Sequence, residues 1–357
     1  MTSDGHTPGR LAADPELEPY RDQLQRRREC YRQRLQHIEA SVGSLAHMAT
    51  GHHYFGFNRG QCEGTAGICY REWAPGADAL ALVGDFNDWD RHSHTMTRDP
   101  FGVWSIFLPD TTDGQPQLTH GSAVMVHVRS SSGAEDRIPA YMQWVVRSGR
   151  GTYTGRYHNG PGYTWKHPTP KAPSDRLRIY EAHVGMAQEK EGIGTWREFT
   201  ETILPRVVAG GYTAVQLMAV AQHPAYDTLG YQVGNYFAPT SEFGPPEDLM
   251  HLIDTAHGRG LRVFLDIVHS HAAKKDAAGL DGLDGTGYQY FHAGGRGEHW
   301  AWGSKLFDYG KFEVIRFLLS NLRYWLEDFH VDGFRFDGVT SMIFLDHGMH
   351  RDFRHYD

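Results

Sequence analysis

Cysteine is scarce in this sequence of 357 residues: Cys30, Cys62 and Cys69 are all there is. Three scattered cysteines are too few for a disulfide framework or a zinc site, which points to a reducing, cytoplasmic compartment. Long apolar runs are missing as well. Nothing approaches the roughly 18 consecutive apolar residues of a membrane-spanning helix. The opening residues, MTSDGHTPGR, lack the apolar h-region of a signal peptide. A basic excess is also absent: 35 Lys and Arg against 43 Asp and Glu leave a formal charge of −8. A chain of that sign has no electrostatic basis for binding nucleic acid or an anionic membrane surface. There is no glycine-rich phosphate loop, no GxSxG elbow and no HExxH string. What remains is a globular composition, 40% hydrophobic and 13% aromatic, long enough for two or three domains. The 23 histidines are many, and most read as surface residues; His52-His53 and His92/His94 sit in polar stretches and attract no role.

Three segments separate by pattern. Residues 1–13 are rich in turn formers and read as frayed. Asp14-Pro15 is an N-cap and N1 pair, after which Leu17, Tyr20, Leu24, Tyr31, Leu35 and Ile38 recur at helical spacing, with a break near Pro19. Arg26, Arg27 and Arg28 read as a solvated helix face, an anion site being the alternative. From about 52 to 162, short β-rich runs (68–73, 79–83, 103–107, 123–128, 144–146) alternate with turn signals such as Pro75-Gly76, Asn87-Asp88 and Asp113-Gly114. Short strands at that spacing predict a β-sandwich. Trp73, Trp89 and Trp104 fit either its core or a platform on which sugar rings stack. A Pro-rich connection over 163–178 follows. Then strands at 177–182, 214–218, 261–268 and 331–336 alternate with helices at 196–208, 245–259 and 311–329, the first entered through Thr195 as N-cap. Four successive β/α units imply a parallel sheet, closed as a barrel or doubly wound.

In a β/α barrel, chemistry sits at the C-terminal ends of strands. Those ends offer Tyr180, Glu181 and His183, then Asp266, His269 and His271, then Arg335 and Asp337. Carboxylates, histidines and an arginine suit a neutral, hydroxyl-rich ligand and attack on it by a carboxylate. Arg335 and Asp337, two apart on a strand, point to one side. An arginine in that position favours the ionised form of its carboxylate, the form a nucleophile needs. A purely structural ion pair has the same spacing. His269 and His271 also share a side; with no third ligand at a suitable spacing, hydrogen bonding or packing is the simpler account than a metal.

Several strings closely resemble the α-1,4-glucan branching enzymes of the α-amylase superfamily (glycoside hydrolase family 13): YEAHVGM (180–186), GYTAVQLMAV (211–220), LGYQVGNYFAP (229–239), FGPPEDLMHLIDTAHGRGLRVFLDIVHSH (243–271), SKLFDYGKFEVIRFLLSNLRYWL (304–326) and FHVDGFRFDGVTSM (329–342). The stretch EWAPGADALALVGDFNDW (72–89) is similar to that family's carbohydrate-binding sandwich. The resemblance covers about residues 14–357. It implies a multidomain chain with an N-terminal helical segment (1–48), an all-β carbohydrate-binding sandwich (49–165), and strands one to four of a (β/α)8 TIM barrel (166–357). It places Asp337 at the nucleophile and Arg335 at its activating arginine. Asp266 and His271 fall where a carboxylate and a histidine contact the donor sugar, and Tyr231 where a tyrosine borders that sugar. The implied reaction cleaves an α-1,4-glucan and transfers the chain to a C6 hydroxyl, with α-glucan as the partner and no metal or organic cofactor.

The family's barrel has eight strands, with an acid/base glutamate after the fifth and a His-Asp pair after the seventh. Here no glutamate follows Glu327, and the stretch from Tyr180 to Asp357 is shorter than the ~250 residues of a whole barrel. The sequence is therefore read as the N-terminal part of a longer enzyme, inactive as 357 residues alone. The rivals are an amylase-type hydrolase, a non-catalytic glucan-binding protein, and an unstable product whose open sheet edges invite aggregation.

Overall fold

The computed structural model describes residues 14–112, 114–147, 152–159, 162–171, 176–274, 278–344 and 346–349; the frayed start expected over 1–13 lies outside them. The chain forms two compact units, one of 1–48 with 340–357 and one of 49–339.

In the smaller unit, Asp14 accepts a hydrogen bond from the Glu16 amide at 3.0 Å and caps a 3-10 turn, Pro15–Tyr20. The α-helix Arg21–Val42 follows, so the break near Pro19 is a change of helix type. Gly43 ends it at φ 85°, a conformation open to glycine.

The larger unit begins with a β-sandwich. One sheet runs in the order Gly56–Cys62, Thr65–Trp73, Val103–Pro109, Thr97–Arg98; the other runs Val145–Arg147, Tyr153–Arg156, Ala123–Ser130, Ala79–Gly84, with Gly133–Arg137 also on Ala123–Ser130. Strand Gly56–Cys62 was not legible beforehand: its sequence, GFNRGQC, is polar and has no strand former besides Phe57. It lies at an edge and pairs along its whole length with Thr65–Trp73. Leu80, Leu82, Val124 and Val126 fill the core between the sheets. Trp104 belongs to that core, its Nε1 donating to the Ala74 carbonyl at 2.9 Å. Trp73 is partly buried edge-on to Tyr290, and Trp89 is held by Asp85 at 3.3 Å.

Glu72 lies wholly inside, its Oε2 accepting from the Tyr70 hydroxyl at 2.8 Å and from the Ala140 amide at 3.1 Å. Burial pushes its carboxyl up to about 7, against those hydrogen bonds. A folded-state value above the unfolded one means that Glu72 favours folding at low pH. That contribution is lost as pH rises from about 4.5 through about 7. Glu72→Gln does not ionise. Its melting temperature relative to the parent should therefore rise between pH 5 and pH 8, by the equivalent of about 2 kcal/mol. Melts across that range that run parallel would contradict it.

Beyond the sandwich, four parallel strands stand in sequential order: Ile179–Ala182, Ala214–Leu217, Arg262–Ile267 and Gly333–Phe336. Neighbours in chain order, with no reversal, make this the first half of a barrel wall rather than a doubly wound sheet. Helix Trp196–Glu198 opens with Thr195 as the expected N-cap, and Glu198 completes a capping box: Thr195 Oγ1 accepts from the Glu198 amide, and Glu198 accepts from the Thr195 amide. The helices Pro246–Gly258 and Phe312–Glu327 bury Leu249, Leu252 and Ile253, and Phe317 and Trp325. The barrel core also takes in Phe55, Ala140 and Tyr141 from the sandwich side of the chain. The connection after the sandwich is tied down by buried Asp254, which accepts from the Tyr163 hydroxyl and from the Lys166 and His167 amides. Among the described residues the first strand has one neighbour, and Leu177 and Ile179 there are each 45% exposed.

Candidate active site

Strand register brings the chemistry together. Arg262–Ile267 and Gly333–Phe336 pair in parallel with Asp266 opposite Arg335. Residues 69 apart in sequence thereby become neighbours at the C-terminal end of the sheet. The Asp337 amide continues the ladder, donating to the Ile267 carbonyl at 2.9 Å. Arg335 Nη1 donates to both carboxylate oxygens of Asp266, at 2.8 Å each, and to Asp337 Oδ1 at 2.7 Å. One guanidinium nitrogen thus bridges two carboxylates. The spacing had linked Arg335 to Asp337 alone; its principal partner is Asp266.

The two carboxylates differ in exposure. The Asp266 side chain is 0% exposed and that of Asp337 is 24%. Burial pushes the Asp266 carboxyl above its ordinary value, with Arg335 and Tyr231 opposing. Hydrogen bonding to Asp266 raises Arg335 further, so it stays cationic. Tyr231 donates its hydroxyl to Asp266 Oδ2 at 2.7 Å, and burial together with that bond raises the phenol. Asp266 is therefore held from two sides, and Asp337 is the carboxylate a ligand can reach.

His271 Nε2 meets the Tyr231 carbonyl at 2.8 Å, and its Nδ1 meets Ser270 Oγ at 2.9 Å. A carbonyl only accepts, so Nε2 carries the proton. Burial holds the imidazole down to about 4, so the ring is neutral near pH 7. With both nitrogens engaged, His271 fixes the segment that carries Tyr231. His269 is fully inside, its Nε2 at 2.8 Å from Asn321 Oδ1, consistent with a packing role. Glu181 accepts from Gln216 at 2.7 Å on the first strand's exposed side. His183 is buried against Tyr226 and Phe243.

Trp302, not singled out in the sequence, forms an aromatic wall here. It stacks on His299 with ring centroids 3.9 Å apart, lies 4.9 Å from the His271 ring, and remains 42% exposed. The signal available was two tryptophans in the polar string EHWAWGS. Gly338, directly after Asp337, sits at φ +62°, and a Cβ there would lie 2.6 Å from Ser270 Oγ. Gly338→Ala should therefore lower stability by about 1–2 kcal/mol, through left-handed strain and that close approach. A denaturant midpoint equal to the parent's would contradict this.

Residues 54–142 match the family described as Carbohydrate-binding module 48 (Isoamylase N-terminal domain), and residues 163–283 match Alpha amylase, catalytic domain. The chain is 48% identical over 340 residues to the 1,4-alpha-glucan-branching enzyme 2-2, chloroplastic/amyloplastic, of Arabidopsis thaliana, covering 94% of this chain and 42% of that one. The identity to the 1,4-alpha-glucan-branching enzyme of Dictyostelium discoideum is also 48%, over 94% of this chain and 49% of that one. This chain is thus similar to 1,4-alpha-glucan-branching enzymes over nearly all of its own length. It spans about half the length of the curated relatives it matches. Among solved structures, a putative alpha amylase from Salmonella typhimurium aligns with TM-score 0.64 at 24% identity, over 79% of this chain and 43% of that one. A type I pullulanase from Bacillus subtilis, complexed with maltose, aligns with TM-score 0.65 at 22% identity, over 79% and 42%. These two likenesses concern the fold: a sandwich followed by barrel strands. No helix among the described residues is long and apolar enough to cross a membrane.

Proposed function

We propose that the protein is a 1,4-α-glucan branching enzyme acting by retaining double displacement, with Asp337 as nucleophile. One observation supports the chemistry above others: Arg335 holds Oδ1 of a reachable carboxylate at a barrel strand end while its other partner, Asp266, is buried. That arrangement fixes the plane of the Asp337 carboxylate and leaves Oδ2 for attack on an anomeric carbon. Asp266 and Tyr231 border the donor sugar, and His271 positions Tyr231. Cleavage of an α-1,4 linkage leaves a glycosyl ester on Asp337, and a C6 hydroxyl of a glucan displaces it to form an α-1,6 branch. The leaving oxygen needs a proton from a second carboxyl about 5–5.5 Å from the nucleophile. The family supplies a glutamate there, and residues 328–357 contain none. The names of the relatives favour transfer over hydrolysis.

The reading assigns 1–48 as a helical segment, 49–165 as a carbohydrate-binding module and 166–357 as catalytic. It places the protein in the cytoplasm, in keeping with three free cysteines. The test incubates amylose with the protein expressed from its own gene and counts α-1,6 linkages by proton NMR. New α-1,6 linkages without a matching rise in reducing ends support the reading. Reducing ends alone point to a hydrolase. Glucan binding with neither product, surviving deletion of 171–357, points to a binding protein. The 357-residue polypeptide by itself is expected to form no branches, because loss of a general acid costs at least about 10²–10⁴ in rate.

A further inference from the structure

His52-His53 reads as a surface pair in sequence, yet the His52 ring is buried, its side chain 3% exposed. The short 3-10 turn Gly51–His53 is pressed onto the helix Phe312–Glu327: the Gly51 amide donates to Ser320 Oγ at 2.7 Å. That contact sets the His52 ring edge-on to Tyr324, with centroids 6.0 Å apart. Neither ring nitrogen of His52 has a hydrogen-bond partner. A buried, unpartnered imidazole is costly unless something else satisfies it.

What faces it is a set of donors. The His53 ring lies 4.0 Å from the His52 ring, centroid to centroid. Glu327, at the end of the helix, completes a group whose ligand atoms all lie within 4.8 Å of one another. Asp328 Oδ2 stands 4.0 Å from His52 Nε2 and adds negative charge. Against these stands the cation of Arg323, whose Nε is 2.8 Å from Glu327 Oε1. We propose that His52, His53 and Glu327 form a binding site for a divalent transition-metal ion of the zinc type, outside the active site.

Two imidazoles and one carboxylate are ligands for zinc and its neighbours rather than for magnesium or calcium, which take oxygen. Tetrahedral zinc holds its ligand atoms about 3.4 Å apart, given bonds of about 2.0–2.2 Å. The widest pair must therefore close by up to about 1.4 Å. His53 and Glu327 are exposed, Glu327 being ion-paired to Arg323, while His52 is buried. On binding, Glu327 turns from Arg323 to the ion, and water fills the fourth position. The ion pins the turn before the sandwich to the end of a barrel helix, so it stabilises the folded chain by linkage.

The test uses the 357-residue chain free of any histidine tag and stripped with a chelator. Equilibrium dialysis against zinc chloride should give one tightly bound ion per chain, and the melting temperature should rise with zinc but not with magnesium. His53→Gln and Glu327→Gln, both exposed changes, should each weaken zinc binding at least tenfold and abolish the thermal shift. Cobalt should give a visible ligand-field band that both variants lose. Because the chain has 23 histidines, binding elsewhere must be separated. Zinc binding and thermal shift that are the same in the parent and both variants, or the absence of tight binding, would overturn the site.

Discussion

Asp337→Asn in the protein expressed from its own gene should lower the rate of branch formation by about 10⁴-fold or more, with glucan binding nearly unchanged. Asn keeps the shape and can still accept from Arg335, so Asp266 retains its buried cationic partner and the fold survives. What disappears is the nucleophile, because an amide oxygen does not form the glycosyl ester. Initial rates measured as new α-1,6 linkages check this, alongside a direct glucan-binding measurement. A variant retaining more than about a hundredth of the parent rate would remove Asp337 from the nucleophile's role.

Arg335→Met should act on both rate and stability. It removes the donor that orients Asp337, which costs about 10²–10³ in rate by analogy with loss of other preorganised donors. It also strips Asp266, with a side chain 0% exposed, of its cation. Breaking a buried pair from one side costs about 3–5 kcal/mol. Arg335 is itself 44% exposed, so solvent screens the pair and a loss of about 2 kcal/mol is the expectation. Arg335→Lys should recover part of the stability, since one nitrogen makes all three contacts. The double change Asp266→Asn with Arg335→Met should cost less than the sum of the single changes. Additive losses would mean that the bridge is not the coupling seen here. Denaturant midpoints for the four proteins decide it.

Several elements were legible in the sequence, and for identifiable reasons. The stretch 261–268 reads as a buried strand because most of it is apolar, and Val263, Leu265 and Ile267 are indeed buried; Thr195 reads as an N-cap because its hydroxyl can accept from the first helical turn. Gly56–Cys62 escaped notice because an edge strand with a solvated face needs few β-formers. At the site, period-two spacing joined Arg335 to Asp337 but could not join Arg335 to Asp266. That pairing comes from inter-strand register, a property of two segments far apart. Resemblance named Asp266, Tyr231 and His271 individually. Their mutual bonds, including the engagement of both His271 nitrogens, appear only once the chain is folded. His52 was misplaced for the opposite reason: its polar neighbours suggest surface, whereas Gly51 lets the turn approach a helix closely enough to bury the ring.

The most direct measurement is to trap the covalent intermediate. The protein expressed from its own gene is incubated with a fluorinated maltosyl fluoride that glycosylates slowly, digested, and sequenced by mass spectrometry. A glycosyl ester is expected on the peptide containing Asp337, at that residue. An ester on another carboxylate, or undiminished branching with Asp337 unlabelled, would contradict it.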